Sequence, residues 1–339
     1  MRRHLAFPIA LLVILSLPIS NAPAQEWTKP RPLRPGDVIR FVAPAGPVSA
    51  DEVRRVGKLF ESKGYKVVIP EGIARRHLFL NGTDDERAAE LNEALRDPDA
   101  RAVFACRGGY GLTRILDRLD YEAMAKRPKI LLGFSDLTAL HLAAGAKCRL
   151  VTFHGPMPLA SLGKEDAEHR YANDLLWRLL TTGTYADGPD ALTVPAPSPA
   201  ETPKALAPGK AKGRLAGGNL SLVAATVGTP YQVETRGNVL FLEDTHEAAY
   251  RVDRMLSQLR LAGLLDGLSG VVLGAFDGAD EAELAAVFRE AFADKGYPVL
   301  TGFPVGHVPA NAVLPCGTLA EIDADAGTLR LLESPLATD

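Results

Sequence analysis

The chain has 339 residues and a formal net charge of −3, a length that fits one large or two ordinary domains. Apolar residues make up 47% and charged residues 23%, which excludes a disordered chain and supports a core that needs no disulfides. The near-neutral balance and only 6% aromatics argue against nucleic-acid recognition, which calls for a basic surface and stacking platforms.

Residues 1–24 begin with Arg2 and Arg3, continue through the apolar run Leu5–Ser20 and close on the small residues of Ala22-Pro23-Ala24. This is the pattern of a secretory signal peptide. The run is short for a ~20-residue membrane span and is broken by Pro8 and Pro18. The expectation is therefore an exported, periplasmic protein with no stable membrane insertion after cleavage. Loss of two arginines takes the charge from −3 to −5. Cys106, Cys148 and Cys316 form no CxxC pair, and no HExxH is present. Zinc ribbons and thioredoxin-like motifs are excluded, and neither metal nor cofactor is expected.

Val38–Pro44 reads as a strand running into a loop. Ser49 and Glu52 open a helix with a capping-box spacing, and Gly64 closes it. Tyr65–Pro70 is the next strand. Thr83 and Glu86 repeat the capping box before a second helix. Ala100–Cys106 is a strand that ends at the loop Arg107-Gly108-Gly109-Tyr110-Gly111. Lys129–Phe134 is an apolar strand that passes directly into a helix. Strands alternating with helices imply parallel β-α-β units, so residues 25–183 are read as an α/β domain with a parallel sheet. Active loops are expected at the carboxyl ends of its strands.

Residues 184–210 carry five prolines between Pro195 and Pro208 and read as a linker. Residues 211–339 then read as a smaller, mixed α/β domain. A helix starts at Asn219. Strands follow at Asn238–Glu243, Gly270–Gly274 and Tyr297–Thr301, with helices at Glu247–Ala262 and Asp280–Asp294. A terminal hairpin turns at Asp325-Ala326-Gly327.

Chemistry concentrates at strand ends. Ser135 sits in Gly133-Phe134-Ser135-Asp136, where a buried strand meets a helix. Such a turn lifts a hydroxyl into a cleft beside the helix amino end, where negative charge is favoured. Only half of the hydrolase elbow G-x-S-x-G is present, because Leu137 replaces the second glycine. Ser135 is thus either a nucleophile or a helix cap. A nucleophile needs a base, and the loop histidines His154, His246 and His307 are the candidates. A base needs an orienting carboxylate. Glu243 and Asp244 both close the strand VLFLED. Asp244 suits a cap for the next helix, whereas alternation turns Glu243 inward with Phe241. Gly108 and Gly109 form either an anion nest or an ordinary tight turn.

The stretches RGGYGLTRILDRLDY, PKILLGFSDLTALH, TFHGPM, GRLAGGNLSL, VLFLEDTHEAAYRVDRMLSQLRLAG and FPVGHVPANAVLPCG occur in this order. Together they resemble the LD-carboxypeptidase family of serine peptidases, which includes the microcin-immunity peptidases. The resemblance runs from Val38 to about Glu333. It implies an amino-terminal α/β sandwich domain, a smaller carboxyl-terminal domain, and an active site between them. It places the nucleophile at Ser135, the triad carboxylate at Glu243 and the base at His307. The oxyanion hole would use the backbone N–H groups of Gly109 and Asp136, beside Gly108. The implied reaction removes the terminal D-alanine from a murein tetrapeptide through an acyl-enzyme. Arg107, Arg251 and Arg254 are candidates for the terminal carboxylate, and a homodimer is implied. Two other readings remain open: the same mechanism on a different amide, and a non-catalytic periplasmic muropeptide-binding protein.

Overall fold

The computed structural model describes residues 26–338, Glu165 excepted; the expected leader lies outside the described residues. The first half alternates strands with helices: β1 (Val38–Val42), α1 (Ala50–Ser62), β2 (Lys66–Val68), α2 (Asp84–Arg96), β3 (Ala100–Ala105), α3 (Tyr121–Lys126), β4 (Ile130–Gly133), α4 (Thr138–Cys148), β5 (Thr152–His154) and α5 (Ala167–Thr182). Of these, α3 and α5 are additions to the sequence reading. Local chemistry sets the helix starts. The Ser49 hydroxyl accepts from the Glu52 N–H, and Thr83 with Glu86 forms a complete capping box. Because β1, β3, β4 and β5 run parallel, both faces of these strands are covered. Their side chains are accordingly almost all buried.

The second half comprises β6 (Lys204–Ala207), β7 (Lys210–Asn219), α6 (Leu220–Ala225), β8 (Val239–Asp244), α7 (Ala249–Leu261), β9 (Gly270–Phe276), α8 (Glu281–Phe292), β10 (Val299–Thr301), β11 (Leu314–Cys316), β12 (Leu319–Asp323) and β13 (Thr328–Leu331). Seven of these strands make a mixed sheet in the order β13-β12-β7-β8-β9-β10-β6. The first sheet has the order β11-β5-β4-β3-β1-β2.

Two features depart from the sequence reading. The Pro-rich stretch 184–210 is more than a linker, because it contains β6, an edge strand pairing antiparallel with β10. Its prolines flank the strand, and an edge position tolerates them. The second half also lends a strand to the first. β11 comes from the second half, yet it pairs antiparallel with β5 and completes the first sheet. One buried cluster accordingly contains Phe104 and Phe153 from the first half with Phe241, Val305 and Leu314 from the second. This shared core fixes the loop before β11 against the ends of β4 and β5. The three cysteines are free and buried. No helix among the described residues is long and apolar enough to cross a membrane.

Candidate active site

Ser135 follows β4 in a tight turn and has φ 63. A left-handed conformation at a non-glycine residue stores strain, which a packed surrounding must sustain. Crowding explains how the turn works with one glycine of the elbow motif. A Cβ on Gly133 would lie 2.6 Å from Leu137 Cγ, so Leu137 occupies the space that Gly133 leaves. A Cβ on Gly108 would sit 2.9 Å from Ser135 Cβ and 3.0 Å from its Oγ. Gly108 thus lets the β3 loop lie directly against the serine. The same imagined Cβ is 3.5 Å from the Asp136 nitrogen, so that N–H and the glycine loop flank the hydroxyl. Gly109, with φ 123, packs against Gly46, whose N–H donates to Gly108 O at 3.1 Å.

Asp136 has a second task that sequence reasoning missed. Its Oδ2 accepts from the Leu112 N–H at 2.8 Å, tying the glycine loop to the serine turn. Burial pushes this carboxyl up to about 6, against the lowering effect of backbone donors at Leu112 and Gly111. Arg87, fully buried, holds the other side of the loop by donating to Gly111 O at 2.9 Å and Pro44 O at 2.5 Å. The Thr83/Glu86 capping box was the only sequence signal near Arg87, and it speaks of a helix start alone.

The structure separates the candidate bases. His154 lies inside β5, fully buried between Phe134 and Phe241 rings, with neither ring nitrogen bonded among the described residues. Burial, then the nearby imidazoles of His141 and His307, push it well below the ordinary histidine range. His141 turns inward, Nε2 2.8 Å from Gly133 O. His246 is 86% exposed at its side chain, and its N–H donates to Asp277. His307 remains. Its Nδ1 is 2.7 Å from Glu243 Oε2, and its ring packs 4.8 Å from that of Phe134.

Glu243 is fully buried at the end of β8. Gly306, at φ 119, gives the carboxylate access to the histidine turn: a Cβ there would meet Glu243 Oε2 at 2.8 Å. Asp244 faces the other way and accepts from Asn219 Nδ2 at 2.8 Å and from Ser221 N and Oγ. It therefore organises the start of α6. Burial tends to lower His307, but the Glu243 hydrogen bond and charge outweigh it and hold the imidazole above its ordinary value. Burial pushes Glu243 up, against the opposing pull of His307.

Ser135 and His307 line one cleft of about 340 Å³, together with Gly108, Gly109, Phe134, Arg107 and Glu52. Arg107 Nη1 also donates to Pro47 O at 3.2 Å. Arg251 and Arg254 do not line this cleft. They lie on α7 against Tyr250, where Arg251 also pairs with Glu247 at 3.5 Å. Among the described residues, no group of three His, Cys, Asp or Glu side chains is placed to hold a metal. The arrangement has the parts that acyl transfer requires: a strained hydroxyl, an imidazole oriented by a carboxylate, and backbone donors beside the hydroxyl.

Residues 39–155 match the model of the LD-carboxypeptidase N-terminal domain, and residues 212–322 that of the C-terminal domain. The chain belongs to the LD-carboxypeptidase family. This is peptidase family S66, a family of serine-type carboxypeptidases. Among LD-carboxypeptidase relatives, the Bacillus subtilis protein called "Probable murein peptide carboxypeptidase" is 36% identical over 303 residues, covering 87% of this chain and 91% of that one. The microcin C7 self-immunity protein MccF of Escherichia coli is 30% identical, covering 91% and 96%. Of solved structures, MccF bound to glutamyl sulfamoyl guanosine superposes with a TM-score of 0.81 at 29% identity, covering 91% of this chain and 99% of that one. A muramoyltetrapeptide carboxypeptidase from Oxalobacter formigenes superposes with a TM-score of 0.73 at 31% identity, covering 87% and 97%. The two-domain α/β architecture is that of these LD-carboxypeptidase structures.

Proposed function

We propose that this LD-carboxypeptidase is a serine enzyme that removes the terminal D-alanine from murein tetrapeptides, with Ser135, Glu243 and His307 as its triad. The observation that carries the reading is the 2.7 Å contact between His307 Nδ1 and Glu243 Oε2 at a cleft shared with strained Ser135. With Nδ1 committed to the carboxylate, Nε2 is left to exchange protons with the serine. Ser135 Oγ attacks the carbonyl carbon of the amide as its proton passes to His307 Nε2. The oxyanion is received by the N–H groups of Gly109 and Asp136. As the C–N bond breaks, His307 returns the proton to the leaving amine. Water, deprotonated by the same imidazole, then splits the ester and restores the hydroxyl. Glu243 stabilises the imidazolium in both halves. Arg107, the one of the three candidate arginines at the cleft, serves as a substrate contact there. The leader pattern of residues 1–24 supports action on murein peptides outside the cytoplasm.

A second reading is the same mechanism on another peptide-like amide, favoured by the TM-score of 0.81 to MccF. Residues 25–339 incubated with a murein tetrapeptide, beside Ser135→Ala, separate the possibilities by mass spectrometry. Loss of one D-alanine with the unmodified enzyme alone is the expected result. Tight binding without loss would favour a binding protein. Neither binding nor loss would direct the search to a different amide.

A further inference from the structure

A second lobe of about 390 Å³ shares Phe134 and His307 with the Ser135 cleft and is lined also by Ser161, Lys164, Glu168, His169 and Asn311. We propose that this lobe holds the leaving amino acid, with its carboxylate received by Lys164 and Asn311. The inference rests on the acyl-transfer reading of Ser135 and His307.

Proton bookkeeping gives the direction. The imidazole that takes the serine proton must hand it to the leaving nitrogen. That nitrogen therefore lies within reach of His307 Nε2. The carbonyl oxygen is drawn the other way, to the Gly109 and Asp136 side. The leaving group then continues past His307 into the second lobe, and the acyl peptide lies along the arm with Arg107 and Glu52.

The lobe is built for an anion at one end. Lys164 lines that end with its ammonium group. The backbone of Lys164 is anchored, because its carbonyl accepts from Asn173 Nδ2 at 3.0 Å and its N–H donates to Ser161 O at 2.8 Å. The ammonium is aimed by a relay. His169 Nδ1 lies 2.7 Å from Asp166 Oδ1, and its Nε2 lies 3.4 Å from Lys164 Nζ. With Nδ1 donating to the carboxylate, Nε2 accepts from the lysine. Two of the three ammonium protons remain for a ligand.

Asn311 supplies the second observation. It is 2% exposed, and its Oδ1 accepts from the Gly306 N–H at 2.9 Å, beside His307. Its Nδ2 is buried with no partner among the described residues. A buried donor left unpaired costs about 1–3 kcal/mol, and a carboxylate in this lobe offers the acceptor. Glu168 lines the same lobe, so a leaving group with two carboxylates is disfavoured.

The test compares two tetrapeptides that differ only at the C-terminus, one a free carboxylate and one a carboxamide. The unmodified enzyme should prefer the carboxylate by about 10–100-fold in kcat/KM, chiefly through KM, as for a charge-assisted hydrogen bond. Lys164→Met should abolish most of that preference, and Lys164→Arg should restore most of it. An undiminished preference in Lys164→Met overturns the proposal while leaving the peptidase reading intact. If the unmodified enzyme cleaves neither peptide, binding of both to Ser135→Ala, with and without Lys164→Met, decides. A Lys164-dependent preference in binding then keeps a carboxylate site in the lobe, but its assignment to the leaving amino acid falls with the peptidase reading. Equal binding, or none, overturns the lobe as well.

Discussion

Replacing Gly108 by alanine isolates the contact that brings the glycine loop against the serine. The new methyl would lie 2.9 Å from Ser135 Cβ and 3.0 Å from Oγ, whereas carbon contacts settle near about 3.5–4.0 Å. One group must give by roughly 0.6–1 Å to reach that spacing. Ser135 cannot absorb this by an easy backbone rotation, because it already sits at φ 63 with Leu137 packed over Gly133 behind it. The hydroxyl and the Asp136 N–H are therefore displaced relative to His307. A misplacement of about 1 Å costs on the order of 100-fold in rate, or about 2.7 kcal/mol in the barrier. Overpacking at one site should cost about 1–3 kcal/mol of stability, so the variant should remain folded at 25 °C with a modestly lower Tm. The assay is the proposed release of D-alanine from a murein tetrapeptide under single-turnover conditions, paired with calorimetry. Full kcat with an unchanged Tm would refute the reasoning, because the methyl would then have been accommodated without moving the serine.

Three further outcomes follow from the electrostatics. As the base of the proposed triad His307 must be neutral, and it is held above its ordinary value of 6.5, so kcat/KM should rise with pH with a midpoint above that value; a midpoint below it would contradict the assignment. Glu243→Gln keeps the shape but removes the charge that stabilises the imidazolium. It should lower kcat by about 10²–10⁴-fold, and any residual activity should show its pH midpoint shifted downward. Asp136 has a folded value of about 6 against an ordinary 3.8. The folded state therefore binds the extra proton between these values, and this group's contribution to stability falls as pH rises through that window, by about 3 kcal/mol in all. Asp136→Asn should flatten that part of the stability–pH curve in urea titrations, and an unchanged slope would place the carboxyl's burial penalty elsewhere.

Much of the first half was legible because its signals are local. The capping boxes at Ser49/Glu52 and Thr83/Glu86 announce helices with their own side chains. The apolar runs of β3 and β4 announce strands covered on both faces. Alternation along VLFLED turns Glu243 away from Asp244, but Asp244 does not cap the helix that follows it: it bonds Asn219 and Ser221 at the start of α6, while Ala248 opens α7 without a side-chain cap. The stretch 184–210 misled for an opposite reason. Proline density speaks against a central strand, but it cannot exclude a short edge strand such as β6, whose partner β10 lies far along the chain.

The sequence by itself determined the helix and strand alternation, the family, and the chemical types that gather at strand ends, because these depend on neighbours within a few residues or on an ordered set of motifs. Its local patterns left three loop histidines equivalent, and the ordered set of family motifs alone singled out His307. The tertiary structure gives the three different surroundings. It buried His154 between two aromatic rings, turned His246 to solvent, and set His307 against Glu243 across 64 positions of chain. The deciding element is β11, which crosses into the first sheet and draws the His307 loop to the end of β5. A partner choice of that kind is made by the burial of a shared core, which no local window of sequence contains.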